Sequence, residues 1–204
     1  RLIHIGRQRF VFDQVTIGPG NLGRIARRVR QGQFRQAIDV SQGLVAVEVR
    51  LALAEKQIDW LGHYVDILAG EQFAPAFLTV NPKAVVPVLV HHGRVIPEST
   101  VICEYLEAVY PDPALIPADP IGQAQTRMIA RMTDLYIAPH NTPLNRMGPN
   151  RDEALIAQQA ALFARGFHYI EAFMGPGPFA VATTPTLGDC ALAPFIIMLQ
   201  QNIF

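Results

Sequence analysis

Cysteine is scarce in this chain: only two occur in 204 residues, Cys103 in ICEYL and Cys190 in DCALA, far apart in sequence. A disulfide framework is therefore not what organises the fold. Each cysteine sits within an apolar helical pattern that lacks the electropositive, partly exposed setting of a reactive thiol, so both read as buried structural residues. Long apolar runs are missing too. None reaches the roughly 18 to 20 residues that a membrane helix requires. The Arg-rich start has neither an initiator Met nor the apolar stretch of a secretory signal. These absences predict a cytoplasmic protein with no membrane span. There is no internal repeat and no low-complexity tract. His63, His91 and His92 have no acidic partners at metal-ligand spacing, which makes them surface or turn residues and predicts no metal.

What is present is a body that is 50% hydrophobic, enough to bury one sizeable core or two small ones without metal or disulfide help. Net charge is zero but unevenly placed. Residues 1–36 hold eight Arg and one Asp, leaving nine basic and sixteen acidic residues beyond them. This basic leader could serve as an interaction arm, yet it has no Lys and no interleaved aromatics, so nucleic-acid binding is not expected.

Within the leader, RFVFDQVTI is consistent with a short strand, TIGPGNLG with a turn and RIARRVRQG with a short basic helix. A strand is expected over 37–40 and a turn at SQG. A well-buried helix follows in LVAVEVRLALAEKQ, where Leu44, Val47, Leu51 and Ala54 recur at helical spacing and Val45, Val49 and Leu53 widen the apolar face. HYVDILA reads as a strand from its branched and aromatic content. GEQFAPAFLTVNP is a loop with room for one helical turn. VVPVLVHHGRVI is a hairpin closed across His91, His92 and Gly93, whose first strand tolerates its proline when Val86–Pro87 is cis.

PESTVICEYLEAVYP is a helix capped by Glu98 or Ser99 and stopped by Pro111. The prolines of PDPALIPADP cannot continue a helix and mark a linker. Beyond it the strand pattern vanishes. IGQAQTRMIARMTDLYIA is a helix that Pro139 kinks or ends, and RDEALIAQQAALFARGFHYIEAFM is a long helix closed by Gly175. TLGDCALAPFIIMLQQNIF is a last helix, in whose N-terminal box the Thr186 oxygen and Asp189 carboxylate satisfy opposite backbone amides. Three domains are expected: residues 1–36 as an atypical leader, 37–112 as an α/β domain and 120–204 as an all-helical one.

That order, together with NPKAVVPVLVHHGRVIPESTVICEYLEAVYPDPALIPADP and TLGDCALAPF, resembles the cytosolic glutathione transferase family over roughly residues 44–199. Within it, STVICEYLE followed by ADP is similar to bacterial branches that include the lignin β-etherases. The resemblance implies a thioredoxin-like N-terminal domain followed by a helical C-terminal domain, with glutathione as co-substrate and a two-fold homodimer. Chemistry and resemblance agree on the residues. Glutathione is an extended peptide, so the backbone of Val86 beside a cis Pro87 can pair with its cysteinyl unit as an added strand. Glu98 can take the γ-glutamyl ammonium, while Ser99 offers hydroxyl and amide to the carboxylate at a helix N-terminus. Alone, Glu98 and Ser99 would also serve as a plain helix cap. Lys83 can add charge for the glycyl end or stand solvated.

The sequence departs from the family at the thiolate-activating residue. Gly43, Leu44, Val45 and Ala46 stand where a Ser, Cys or Asn would, and Ser41 is the nearest hydroxyl, equally suited to a turn. Either the helix N-terminus supports the thiolate, or the start is not the family's own; the C-terminal end also stops before the last helices such proteins carry. The expected function is transfer of glutathione to a small, largely apolar electrophile held by Tyr136, His140, Asn141 and Asn145, with Met132 and Met147 nearby. The alternative is a binding or scaffold protein that keeps the fold without the chemistry.

Overall fold

The computed structural model describes residues 2–5, 8–11, 35–38, 44–141 and 152–202. For 2–5, 8–11, 35–38, 44–45 and 198–202 the description is of backbone only. The basic helix expected in RIARRVRQG, the SQG turn, Ser41, Asn145 and Met147 lie outside the described residues. The chain divides into two compact units, Arg1–Ile3 with Val11–Pro113 and His4–Phe10 with Ala114–Phe204. Strands β1 (Leu2–Ile5) and β2 (Gln8–Val11) form a two-stranded sheet.

The first unit carries a four-stranded sheet of β3 (Arg35–Ile38), β4 (Trp60–Leu61), β5 (Val88–His91) and β6 (Arg94–Pro97), in the order β4-β3-β5-β6. β4 runs parallel to β3, so the chain between them must cross over, and it does so through helix α1 (Leu44–Glu55). β5 and β6 are antiparallel. This is the thioredoxin-like arrangement, with α2 (Pro75–Val80) and α3 (Ser99–Val109) completing the unit. The strand expected over 37–40 is placed two residues earlier, so it begins inside the stretch read as a leader.

Helix α1 forms as expected, but its buried stripe coincides with the expected face only at Val49 and Leu53 among the residues whose burial is described. Ala46, Val49, Ala52 and Leu53 are buried, while Ala54 is exposed and Val47 and Leu51 are half-buried. The segment is apolar almost all round, so its pattern fixes the helix without fixing which side faces inward. Small residues decide it: Ala46 and Ala52 let the helix approach its neighbours closely. Lys56, just past the helix, is buried and its ammonium has three acceptors. They are the Tyr110 carbonyl at 2.7 Å, the Pro113 carbonyl at 2.9 Å and Glu107 Oε2 at 2.5 Å. Three donors meet three acceptors, which fastens the end of α1 to the end of α3.

The expected strand HYVDILA is not one. The ladder holds only Trp60 and Leu61. Of that heptapeptide Val65 is buried and the half-buried Ile67 packs on the same core, whereas Tyr64 and Leu68 are exposed. The Asp66 carboxylate turns the chain by accepting from the amides of Leu68 and Ala69, a local bond that competes with a sheet ladder. GEQFAPAFLTVNP is more helical than expected, with a 3₁₀ turn at Glu71–Phe73 leading into α2. The hairpin forms as read, with Val88 opposite Pro97 and His91 opposite Arg94. Its two turn residues, His92 (φ 50) and Gly93 (φ 72), are both left-handed, as a primed hairpin turn demands. His91 is a correction: it is buried, not a surface residue, and its Nδ1 lies 2.6 Å from the Tyr105 hydroxyl.

The second unit is helical beyond Ala114, built on α4 (Pro120–Tyr136), α5 (Glu153–Glu171) and α6 (Leu187–Asn202). Asp119 caps α4 by accepting from the Gly122 amide at 2.8 Å, and Asp152 caps α5 through the amides of Ala154 and Leu155. Gly166 of α5 lies against the end of α4, where an added Cβ would stand 2.3 Å from the Tyr136 carbonyl oxygen. In the first turn of α6, the Asp189 carboxylate accepts from the Thr186 amide at 2.8 Å and the Ala180 amide at 2.7 Å. The Thr186 hydroxyl donates a hydrogen bond to that carboxylate instead of accepting from an amide, so the box works from the Asp side. Both cysteines are buried, and neither takes part in a disulfide among the described residues. Among the described residues no helix is long and apolar enough to cross a membrane.

Candidate functional site

The peptide between Val86 and Pro87 is cis, and Pro87 lies just before β5 instead of inside it. The loop that leads there is wound around Asn81, which is 2% exposed. Its Oδ1 accepts from the Lys83 amide at 3.1 Å, its Nδ2 donates to the Val85 carbonyl at 2.8 Å and its own carbonyl accepts from the Ala84 amide. One buried amide side chain thus satisfies backbone that the sheet cannot reach, while Ala84 turns through a φ of 53°. Val86 packs on the core cluster of Ala46, Val65, Phe77 and Val88. Its amide and carbonyl make no hydrogen bond among the described residues, so this stretch of main chain is open to an extended peptide.

Glu98 and Ser99 follow directly on β6. Glu98 is the N-cap residue of α3 by position, with φ 71° and ψ 114°, but its side chain makes no capping bond. Its carboxylate is paired with Lys83 Nζ, fifteen residues earlier in the chain, on a surface where both side chains are more than half exposed. A non-glycine residue held at such a φ is uncommon and recurs at ligand-binding positions. Ser99 is buried as the first residue of α3, so its hydroxyl and amide sit at the positive end of the helix. The structure therefore puts an exposed carboxylate beside a buried hydroxyl and a helix N-terminus. That combination suits an ammonium and a carboxylate on one carbon.

Gln72 was not singled out by sequence. Its Nε2 donates to the Ile67 carbonyl at 3.3 Å, while its Oε1 is buried with no hydrogen-bond partner among the described residues. A buried acceptor left unmet costs free energy, and it marks a place where a ligand donor would be welcome. No sequence cue set it apart, since it follows the charged Glu71 in GEQFAPAFLTVNP.

The residues expected to hold a second substrate are all in the second unit. Tyr136 ends α4, is 43% exposed and meets Tyr169 edge to face at 5.7 Å. His140 lies in the helical turn that follows, with Nδ1 2.8 Å from Gln159 Oε1. Asn141 is buried. Of the three, Tyr136 presents the most surface. Among the described residues no group of His, Cys, Asp or Glu is arranged to hold a metal ion.

Sheet order, cis-proline and the acid–serine pair at a helix start define a glutathione-transferase-like protein. Residues 45–109 match the family model described as glutathione S-transferase, N-terminal domain. The chain is 35% identical over 152 residues to a probable maleylacetoacetate isomerase of Caenorhabditis elegans, covering 72% of this chain and 71% of that one. It is equally 35% identical over 160 residues to maleylacetoacetate isomerase of Pseudomonas aeruginosa, covering 75% and 76%. Among solved structures it is similar to a holo maleyl pyruvate isomerase described as a bacterial glutathione S-transferase in zeta class. There the TM-score is 0.72 with 28% identity over 81% of this chain and 82% of that one. The chain belongs to the cytosolic glutathione transferase family, whose co-substrate is glutathione.

Proposed function

We propose that this chain is a glutathione-dependent transferase that presents the glutathione thiolate to a small, largely apolar electrophile. The observation that carries the reading is the open main chain of Val86 at a cis-proline, together with the exposed Glu98 carboxylate and buried Ser99 at the start of α3. In this reading the cysteinyl unit pairs with Val86, Glu98 takes the γ-glutamyl ammonium, Ser99 takes the γ-glutamyl carboxylate and Gln72 Oε1 accepts from a peptide amide. Tyr136, His140 and Asn141 contribute to the electrophile's site. Catalysis then rests on positioning and on lowering the thiol pKa. With no hydroxyl or thiol at Gly43 to Ala46, the nearest side-chain candidate is Ser41, and the amides at the start of α1 are the other source of stabilisation. The family's two-fold homodimer is the assembly this reading carries.

The relatives' names favour a second version of the same chemistry, in which the thiolate adds to a cis double bond, the carbon–carbon bond rotates and the thiolate leaves again. Calorimetry of glutathione binding to the chain and to Glu98→Gln tests the site. We expect binding that the substitution weakens at least tenfold, as loss of a charged hydrogen-bond partner implies. Turnover with an aryl halide against isomerisation of maleylpyruvate then separates the two reactions. Tight binding with neither reaction would leave a scaffold that has kept the site, and no binding by the folded chain would overturn the reading.

A further inference from the structure

We propose that Lys83 is a placeholder for the ligand's ammonium, so that the site selects ligands carrying a cation able to displace it. The inference rests on the glutathione-site reading above and adds a specificity-determining residue to it. Glu98 has a partner before any ligand arrives, because the Lys83 ammonium sits on its carboxylate. The reach is not accidental. The Lys83 amide is held by Asn81 Oδ1, and the Val85 carbonyl by Asn81 Nδ2, so the base of the lysine is set by a buried side chain while its tip is free to leave. Glu98 in turn is aimed by its left-handed φ and by the helix that starts at Ser99.

The Lys83 ammonium occupies Oε1 of the Glu98 carboxylate. A γ-glutamyl ammonium directed to that same oxygen exchanges one ion pair for another and releases the lysine into solvent. A ligand without the ammonium leaves the lysine where it is. The carboxylate is thereby kept compensated without a bound ligand, and anionic peptides lacking the cation gain nothing from Glu98.

Glutathione is a net anion, so plain electrostatics predicts that removing a lysine weakens its binding. The placeholder predicts the opposite. Calorimetry would be run on the full chain, on Lys83→Gln and on Lys83→Met, with glutathione and with its deaminated analogue glutaryl-cysteinyl-glycine. Breaking an exposed ion pair corresponds to roughly a two- to five-fold change in affinity. We expect both variants to bind glutathione tighter by that factor at low salt, with the gain fading at high salt, and the analogue to bind no tighter. Unchanged or weaker glutathione binding by the variants, where Glu98→Gln still weakens it, overturns the lysine's role alone. Glutathione binding indifferent to Glu98→Gln overturns the site and this inference together. Equal gains for glutathione and analogue also overturn it, because the lysine would then act on the whole ligand.

Discussion

Substitution of Lys56 by Met removes a fully enclosed ammonium, since its side chain is 0% exposed and that of Glu107 only 14%. Methionine fills most of the volume, so the loss is electrostatic and not a cavity. Removing one member of a buried ion pair costs about 3–5 kcal/mol. The lower end is the better figure, because Glu107 keeps some access to water and has a further interaction of its own. The two carbonyls of Tyr110 and Pro113 lose their donor as well. We expect a loss of about 3 kcal/mol, which at a urea dependence of roughly 2 kcal/mol per molar moves the midpoint down by about 1.5 M. Trp60 is the only tryptophan in the chain and lies in β4 of the same unit, so its fluorescence reports the transition directly. The double variant Lys56→Met with Glu107→Gln should recover part of the loss, since no carboxylate is then left uncompensated. A single variant within about 0.5 kcal/mol of the parent, the scatter of ordinary surface changes, would refute the claim that this ammonium holds the ends of α1 and α3 together.

Asp189→Ala should destabilise the second unit by about 2–4 kcal/mol, because the Ala180 and Thr186 amides and the Thr186 hydroxyl lose one shared acceptor; thermal unfolding by circular dichroism reads this. Burial raises the Asp189 pKa above its usual 3.8 despite those hydrogen bonds. The folded state therefore holds that proton more tightly than the unfolded state. This contribution is fully present below about pH 3.8 and is lost as pH rises through the folded value, so the advantage of the parent over Asp189→Asn should shrink with rising pH in that window. Gly166→Ala drives a methyl into the Tyr136 carbonyl, and as backbone cannot yield cheaply it should cost roughly 1–3 kcal/mol or more in a thermal melt. A melting temperature equal to the parent's would mean that α4 and α5 are not as close as this.

Most of the fold was legible because its signals are local. The hairpin announces itself through two apolar runs around His92 and Gly93, and α3 through the break at Pro97 and Pro111. The candidate site residues Val86, Pro87, Glu98 and Ser99 were nameable because each belongs to a short motif next to one of those elements. What sequence did not show depends on partners distant in the chain. Nothing near Lys56 reveals that its acceptors lie more than fifty residues away. Lys83 and Glu98 look like two ordinary surface charges until the fold sets them together. HYVDILA misled because branched and aromatic content reports fitness for a pleated surface, while Asp66 offered a tighter local bond. The buried side of α1 was only partly read, because the segment is apolar almost all round and one of its few charges, Glu48, is itself buried.

Asn81 separates path from content in the loop before Pro87. Because one buried amide dictates where the main chain goes, the exposed side chains at 83 and 85 contribute little to holding it there. Those two positions form a cassette: a library randomised at 83 and 85 with Asn81 kept should yield folded proteins almost throughout, differing in the charge and bulk they offer an incoming ligand. A change at Asn81 itself would move the whole loop at once, which makes it the one position there where selection acts on shape and not on preference.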